Sequence, residues 1–415
     1  MNPLYNLSIS LYRAGARIAA LRSDKVRKML RGQDDTWRIL RESVTPGATY
    51  VWVHAASLGE FEQGRPLIER IRREHPDKRV LLTFFSPSGY EIRKDYSGAD
   101  IVAYLPFDSS SNARRLLDAI DIETALFIKY EFWGNYIHEL RRRGIPTYLV
   151  SAIFRPGQLF FRPWGGMFRG ILECYTHLFV QDEPSQRLLQ GIGIENVTVA
   201  GDTRFDRVTD IMGTAHDIPA IDAFTADAPT VIVAGSTWPP DEAILIPYLN
   251  AHPTIKAIIA PHEVKEGRMR EIEAAATGRC VRLSQASPEN AAQAQVLILD
   301  GYGLLSSAYR YGTTAYVGGG FGVGIHNINE AAVYAMPVIF GPRYSKFKEA
   351  VDLVALGGAF SVSDSGELNK TLDRLTTDSD ALASSSRIAG KYISDNLGAT
   401  DTVYKTIAGR LRGNI

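Results

Sequence analysis

The chain has 415 residues, 45% of them hydrophobic and 22% charged, and its formal net charge is zero. That length exceeds what one hydrophobic core serves, so two domains are expected, and the charge balance excludes the basic field of a nucleic-acid binder. Two distant cysteines, Cys174 and Cys280, and 8 scattered histidines offer neither a disulfide framework nor a C-x-x-C zinc pattern, and point to a reducing compartment.

In the first segment Leu4, Leu7, Leu11, Ala14, Ile18 and Leu21 recur at spacings of three and four, which predicts a helix with one apolar stripe. Tyr5 and Tyr12 lie beside the stripe, and Arg13 and Arg17 fall off it. Those arginines interrupt the apolar run, so no signal peptide is read here. Nowhere does an apolar run reach the roughly 18 residues of a spanning helix. A basic cluster follows, Arg22, Lys25, Arg27, Lys28 and Arg31, opposed by Asp24. An amphipathic helix with a basic flank over residues 1–33 fits the interface of an anionic membrane. It equally fits a helix docked on its own domain with a solvated basic face.

From Tyr50 onward strand-like and helical stretches alternate. "YVWVHAA" leads into a helix to about Glu74, and the turn between them holds Ser57, Gly59 and Glu60. A carboxylate stands there where a nucleotide-binding turn would place glycines. "RVLLTFF", "IVAYLPFD", "TALFIKYEFW", "PTYLVSAIF", "HLFVQDE" and "VTVAGDTRFD" continue the series through residue 210. Ala, Asp, Thr and Pro then accumulate, and 211–228 is expected to be a linker. A second series, "TVIVAGSTW", "IKAIIAPHE", "CVRL", "VLILD", "TTAYVGGG", "PVIFGP" and "AFSV", occupies 229–390, and a helix over 391–415 is expected to return to the first domain. The fold class is α/β, with two tandem doubly wound Rossmann-like domains whose strand ends face one cleft.

The loops after these strands carry the candidate chemistry. "GGGFGVGIHNINEAA" contains G-x-G without the full dinucleotide fingerprint. Glu330, at the predicted helix start behind this loop, either caps the helix or accepts hydrogen bonds from ribose hydroxyls, and the glycines favour ribose. "DGYGLLSSAYRYG" places glycines before another helix, where free N–H groups suit a phosphate. In the first half Lys129 and Glu131 end one strand and Arg204 follows another; a surface ion pair is the alternative role for the first two. No H-x-x-x-H or carboxylate cluster marks a metal. The only D-x-D is Asp378–Asp380, away from the strand ends.

In this order, "HAASLGEFEQGRPLI", "KYEFWGN", "VSAIFR", "QDE", "GDTRFD", "GSTW", "GIHNINEAA" and "PVIFGP" resemble the 3-deoxy-D-manno-octulosonic acid (Kdo) transferases of lipopolysaccharide synthesis, which are GT-B glycosyltransferases. The resemblance implies CMP-Kdo as donor and a lipid A precursor as acceptor. It implies Glu60 as general base, with Glu131 and Arg204 stabilising the transition state. It implies nucleotide contacts at Pro261, His262, Tyr302, Gly303, Leu304, Asn327, Asn329 and Glu330. Many members carry threonine at the position of Lys129, lysine at Arg204 and histidine at Trp238, and Trp238 is assigned no role. With a monophosphate leaving group, helix termini and cations can replace a metal, so no cofactor is expected. A single displacement would invert the anomeric configuration through an oxocarbenium-like transition state. The lipid acceptor tilts the N-terminal helix towards an anionic surface, the cytoplasmic face of the inner membrane. The rival readings are a UDP-sugar epimerase on the same architecture and a non-catalytic membrane-surface module. The oligomeric state is left open.

Overall fold

β-Branched runs, closed by capping serines and aspartates, fold into two doubly wound units in the computed structural model, which describes residues 3–213 and 216–411. The first unit extends to Arg207 and resumes at Leu397; the second is Val208–Asn396.

The first unit is built on seven parallel strands: β1 (Thr49–His54), β2 (Arg79–Phe84), β3 (Ile101–Tyr104), β4 (Asp121–Ile128), β5 (Thr147–Ala152), β6 (His177–Val180) and β7 (Val197–Val199). Their order is β3-β2-β1-β4-β5-β6-β7, so the winding reverses between β1 and β4. Successive side chains point to opposite faces. Trp52 and Phe127 therefore enter one core with Tyr136, Leu149 and Leu178, while Val51, Val53, Leu126 and Ile128 enter the other. The second core is closed by the C-terminal helix Ala399–Leu411 through Val403, Ile407 and Leu411. The chain re-enters this unit at Gly398 (φ +98°), and Asp206 accepts the backbone N–H groups of Gly398 (2.7 Å) and Thr400 (2.6 Å).

Two helices precede β1, α1 (Pro3–Ala19) and α2 (Asp24–Ser43). Leu4, Leu7, Leu11, Ile18 and Leu21 are between 56% and 78% exposed, so the apolar stripe is uncovered in this chain. The opposite face of α1 is docked. Ala16 is buried with Met29, Tyr104 and Phe107. The Tyr5 hydroxyl donates to Asp108 Oδ2 (2.5 Å) and accepts from Gly134 N (3.1 Å), and Asn6 Oδ1 accepts from Asn135 Nδ2 (2.9 Å). The docked-helix reading thus describes one face of α1, and the apolar stripe occupies another. The basic cluster belongs to α2, capped by Ser23. Its buried face sets polar Gln33 and Thr36 between apolar Met29 and Leu40. Among the described residues no helix is long and apolar enough to cross a membrane.

The second unit repeats the plan with β8 (Val231–Thr237), β9 (Lys256–Pro261), β10 (Cys280–Arg282), β11 (Val296–Ile298), β12 (Thr314–Val317), β13 (Val338–Phe340) and β14 (Ala359–Ser361). Their order is β10-β11-β9-β8-β12-β13-β14, with the reversal between β8 and β12. The stretch 211–228, expected as a linker, contains the helix Pro219–Thr225, whose Ile221 and Phe224 are fully buried. Two apolar side chains three apart suffice for one docked turn. The helix Ser379–Asp395 stays in the second unit, so the return to the first begins later than residue 391. Asp378 caps that helix by accepting from Ala381 N (2.9 Å), which gives the D-x-D a structural role.

Candidate active site

Ligands of doubly wound sheets bind outside the strand C-termini where the winding reverses. In the first unit that place is flanked by the loops after β1 and β4, and these carry Glu60 and Glu131. Helix α3 (Leu58–Glu74) opens with a capping box. Ser57 Oγ accepts from Glu60 N (3.5 Å), and Glu60 Oε2 accepts from Ser57 N (3.2 Å). The second oxygen of Glu60 takes no part in the box. Burial and the neighbouring Glu131 charge push the Glu60 carboxyl up to about 7, against the opposing pull of backbone N–H groups at Ala56 and Ser57 and of the Lys129 cation. Lys129 takes the left-handed conformation at φ +68°, and such strain concentrates at functional sites.

Glu131 is 6% exposed and is held by its neighbours. Its Oε2 accepts from His54 Nε2 (3.0 Å) and from the Trp133 indole N–H, and its carbonyl accepts from the Tyr175 hydroxyl (2.6 Å). His54, on β1, is fully buried, and its Nδ1 faces the Thr83 hydroxyl (2.8 Å). Trp52 Nε1 donates to that same hydroxyl oxygen (2.8 Å), and His54 Nδ1 also lies 3.1 Å from the Thr83 carbonyl, which can only accept. A carboxylate accepts, so the bond to Glu131 places a hydrogen on Nε2. The relay Trp52–Thr83–His54–Glu131 was missed in the sequence because it crosses from β2 to β1 to β4, an order visible only in the sheet.

Arg204 begins the helix Arg204–Gly213 and turns back on Asp202, donating from Nε (2.9 Å), Nη2 (2.7 Å) and its backbone N–H (2.9 Å). Burial pushes the Asp202 carboxyl up, but the Arg204 charge and hydrogen bonds from Arg204 and Gln63 outweigh it and hold it below its ordinary value. Gln63 stands on α3 one turn beyond Glu60 and donates to both Asp202 oxygens (3.0 and 3.1 Å). Arg204 is thereby tied to the helix that carries the candidate base. The Tyr130 hydroxyl is pushed up by burial and feels the charges of both Glu60 and Arg204, which puts the three in one neighbourhood.

The second unit gathers its groups at the β8/β12 reversal. Glu330 lies in the first turn of Asn329–Ala332, where a carboxylate suits the helix start, while Ile328 occupies the cap position and no side-chain cap bond is made. Its Oε1 accepts from Asn327 Nδ2 (3.1 Å) and its Oε2 from Ser306 Oγ (3.2 Å). Asn329 is fully buried, and its side-chain amide makes no hydrogen bond among the described residues. Pro261 ends β9, and His262 N donates to Thr237 O (2.9 Å). Tyr302 is 79% exposed, Gly303 is left-handed (φ +81°), and Leu304 precedes a helix of only four residues, Leu305–Ala308. One α-helical turn sums few peptide dipoles, so the expected phosphate site at that helix start loses most of its electrostatic basis.

Two features went unread. Trp238 stacks on His262 (ring centroids 4.5 Å apart, planes at 25°) and donates Nε1 to His326 Nε2 (3.3 Å), while His262 and His326 lie 4.5 Å apart. Burial and then the His262 charge push His326 down to about 4, so it is neutral at physiological pH and can accept from Trp238. These rings follow β8, β9 and β12, which are adjacent only through the sheet order β9-β8-β12. Two glycines of "GGGFG" are required by close approach of the protein's own backbone. A Cβ at Gly318 would stand 2.3 Å from Ser236 O, and one at Gly320 2.6 Å from the Gly341 backbone. Asp241 ties the two strand ends together, accepting from Trp238 N (2.9 Å), Gly319 N (3.0 Å) and the Tyr316 hydroxyl (2.9 Å).

Comparison with known proteins places this chain among relatives. A family model described as 3-deoxy-D-manno-octulosonic-acid transferase matches residues 25–207. The chain is 30% identical over 346 residues to the 3-deoxy-D-manno-octulosonic acid transferase of Bordetella pertussis, covering 77% of each chain. It is 26% identical over 343 residues to that of Aquifex aeolicus, covering 81% of this chain and 88% of the relative. Among solved structures, UDP-GlcNAc 2-epimerase from Neisseria meningitidis superposes with a TM-score of 0.62 at 14% identity, covering 87% of this chain and 100% of that one. MurG from Acinetobacter baumannii does so with a TM-score of 0.58 at 12% identity, over 87% and 99%. These two share the fold.

Proposed function

The chain belongs to the 3-deoxy-D-manno-octulosonic acid transferase family, and from that premise we propose that it transfers Kdo from CMP-Kdo to a hydroxyl of a lipid A precursor with Glu60 as general base. The observation that carries this reading is the state of Glu60. One oxygen is fixed by the capping box, and the carboxyl is raised to about 7. A base poised near the working pH combines an adequate ionised fraction with adequate proton affinity.

In the step, the acceptor oxygen forms a bond to the anomeric carbon and gives its proton to Glu60. The bond from that carbon to the phosphate oxygen breaks, and CMP leaves with the electron pair. One displacement inverts the centre. Glu131, held by His54 and Trp133, supplies fixed negative charge for the oxocarbenium-like carbon. Arg204, oriented by Asp202, supplies positive charge for the anionic groups of the donor. Glu330 and Asn327 hold the ribose hydroxyls of the nucleotide, and His262 with Trp238 offers a flat aromatic surface to it. No divalent metal enters the step, because the leaving group is a monophosphate that cations of the chain can serve.

The acceptor is a membrane lipid in this reading, and the chain works at the cytoplasmic face of the inner membrane. The uncovered stripe of α1 and the basic residues of α2 support that contact. Incubation with CMP-Kdo and a lipid A precursor, followed by mass spectrometry of the lipid, tests the assignment: a mass increase of one or more Kdo residues is expected, and an unmodified lipid refutes it.

A further inference from the structure

Arg204 reaches the candidate site from the far edge of its sheet. β5 and β6 stand between β7 and β4. The loop after β7 must therefore cross back over them, roughly 14 Å at about 4.8 Å per strand, before Arg204 can serve the loops after β1 and β4. Three buried polar side chains mark the crossing: Ser151 near the end of β5, Thr203 in the loop itself and Gln63 on α3.

Ser151 is left-handed at φ +55° inside a parallel sheet, a strained conformation for a residue with a Cβ. The ladder to β6 slips at this point. Leu149 pairs with Leu178 and Ala152 with Val180, so two residues of β5 span one of β6. On the other side Ile128 pairs with Val150, and the next residue of β4, Lys129, is left-handed as well. The two strained residues thus occupy neighbouring positions on adjacent strands. At this bulge Ser151 Oγ meets the loop after β7. It accepts from Thr203 N (3.3 Å) and lies 3.2 Å from Thr203 Oγ1. Thr203 Oγ1 donates its own proton to Gln63 O (2.5 Å), so the proton between the two hydroxyls is the serine's.

We infer that Ser151 and Thr203 are positioning residues for the transfer, a clasp that pins the Arg204 loop to β5 and to the helix carrying Glu60. The inference rests on the role given to Arg204 above and extends it to two fully buried side chains. An apolar residue in regular strand geometry at position 151 would need neither strain nor a polar partner. The chain instead keeps a strained serine that bonds the residue before Arg204 twice. Without the clasp the loop still meets α3 through Gln63 and Asp202, but its backbone is released at Thr203. A shift of about 1 Å in a group placed for a transition state can cost about a hundredfold in rate.

The test uses the full chain. Ser151→Gly removes one hydroxyl and accepts φ +55° without strain, so folding is kept. Thr203→Val removes the other at similar volume, and Thr203→Ser restores it. Hydrogen exchange of the peptide over 198–206, read by mass spectrometry without substrate, reports the clasp itself. Ser151→Gly and Thr203→Val should speed its slow exchange roughly tenfold, the equivalent of one net hydrogen bond; Thr203→Ser should not. With CMP-Kdo and acceptor, the first two should lower kcat roughly 10–100-fold and by more than they change either KM, while Thr203→Ser stays near wild type. In an Arg204→Gln background Ser151→Gly should cost nothing further, because no guanidinium is left to place. Wild-type exchange in Ser151→Gly, a lowered melting temperature with wild-type kcat, or an undiminished loss in the Arg204→Gln background overturns the inference. If the wild type transfers no Kdo, the transferase reading has failed, and the exchange result alone decides whether the clasp holds the loop.

Discussion

Replacing Glu60 by glutamine separates its chemical role from its structural one. Glutamine at the third helical position still closes the capping box with Ser57, so α3 keeps its start. The carboxyl, however, titrates at about 7 when folded, against its ordinary value of 4.5. Between those values the folded state binds more protons than the unfolded one, so stability falls as pH rises from 4.5 to 7. Above 7 the wild type carries the whole penalty, about 3 kcal/mol at 1.36 kcal/mol per pH unit. Sharing of the interaction with Glu131 and residual solvation reduce this to roughly 1–3 kcal/mol. Glu60→Gln is therefore expected to be more stable than the wild type by that amount at pH 8 and indistinguishable from it near pH 4. Its turnover should fall roughly 10²–10⁴-fold, the usual contribution of a positioned base. Urea unfolding at the two pH values gives the first quantity, and initial rates with CMP-Kdo and acceptor give the second. Wild-type turnover, or a stability difference that does not change with pH, would refute the reasoning.

Wild-type kcat should rise with pH through about 7 as Glu60 ionises, and a rate flat between pH 5.5 and 8.5 would remove it as the base. His54→Leu takes one of two side-chain donors from buried Glu131; it should cost about 1–3 kcal/mol in urea unfolding and lower kcat more than it changes KM for CMP-Kdo. Glu330→Ala should weaken CMP binding in calorimetry without changing affinity for the acceptor, and unchanged CMP affinity would take the ribose from it. Activity should persist in EDTA, and a loss restored by Mg²⁺ would place a metal in the step. Leu7→Glu with Leu11→Glu should abolish sedimentation with anionic vesicles and spare CMP binding, because both side chains are exposed and far in sequence from the nucleotide loops.

Much of the fold was legible because its strands are buried on both faces and read as apolar runs, "YVWV" and "VIVA" among them. The turn carrying Glu60 was legible because a capping serine and a glutamate three residues on mark a helix start. The helix Pro239–Ala251 was not, since its apolar residues surround it and leave no period to detect. The second N-terminal helix was passed over because its charges were read as a basic flank, although its amphipathic period is at least as strong as that of the first. In the candidate site, residues that stand on one loop could be named from the sequence; contacts made across strands could not. His54 reaches Glu131 only because β1 and β4 are neighbours, and Trp238 meets His262 and His326 only because β8 lies between β9 and β12. The glycines after β12 were read for ligand approach, but the tightest of them accommodate Ser236 and Gly341.

The hydroxyl of Tyr5 joins two parts of the molecule with different tasks. It bonds Asp108 and the N–H of Gly134, and Gly134, three residues beyond Glu131, begins the helix Gly134–Arg142 that follows the Glu131 loop. The helix that presents leucines outward therefore also forms part of the wall behind the Glu131 loop. A force that peels α1 away would strip a donor from Asp108 and an acceptor from Gly134 at the same moment. The Tyr5 hydroxyl is a strut between α1 and the start of the helix that follows the Glu131 loop.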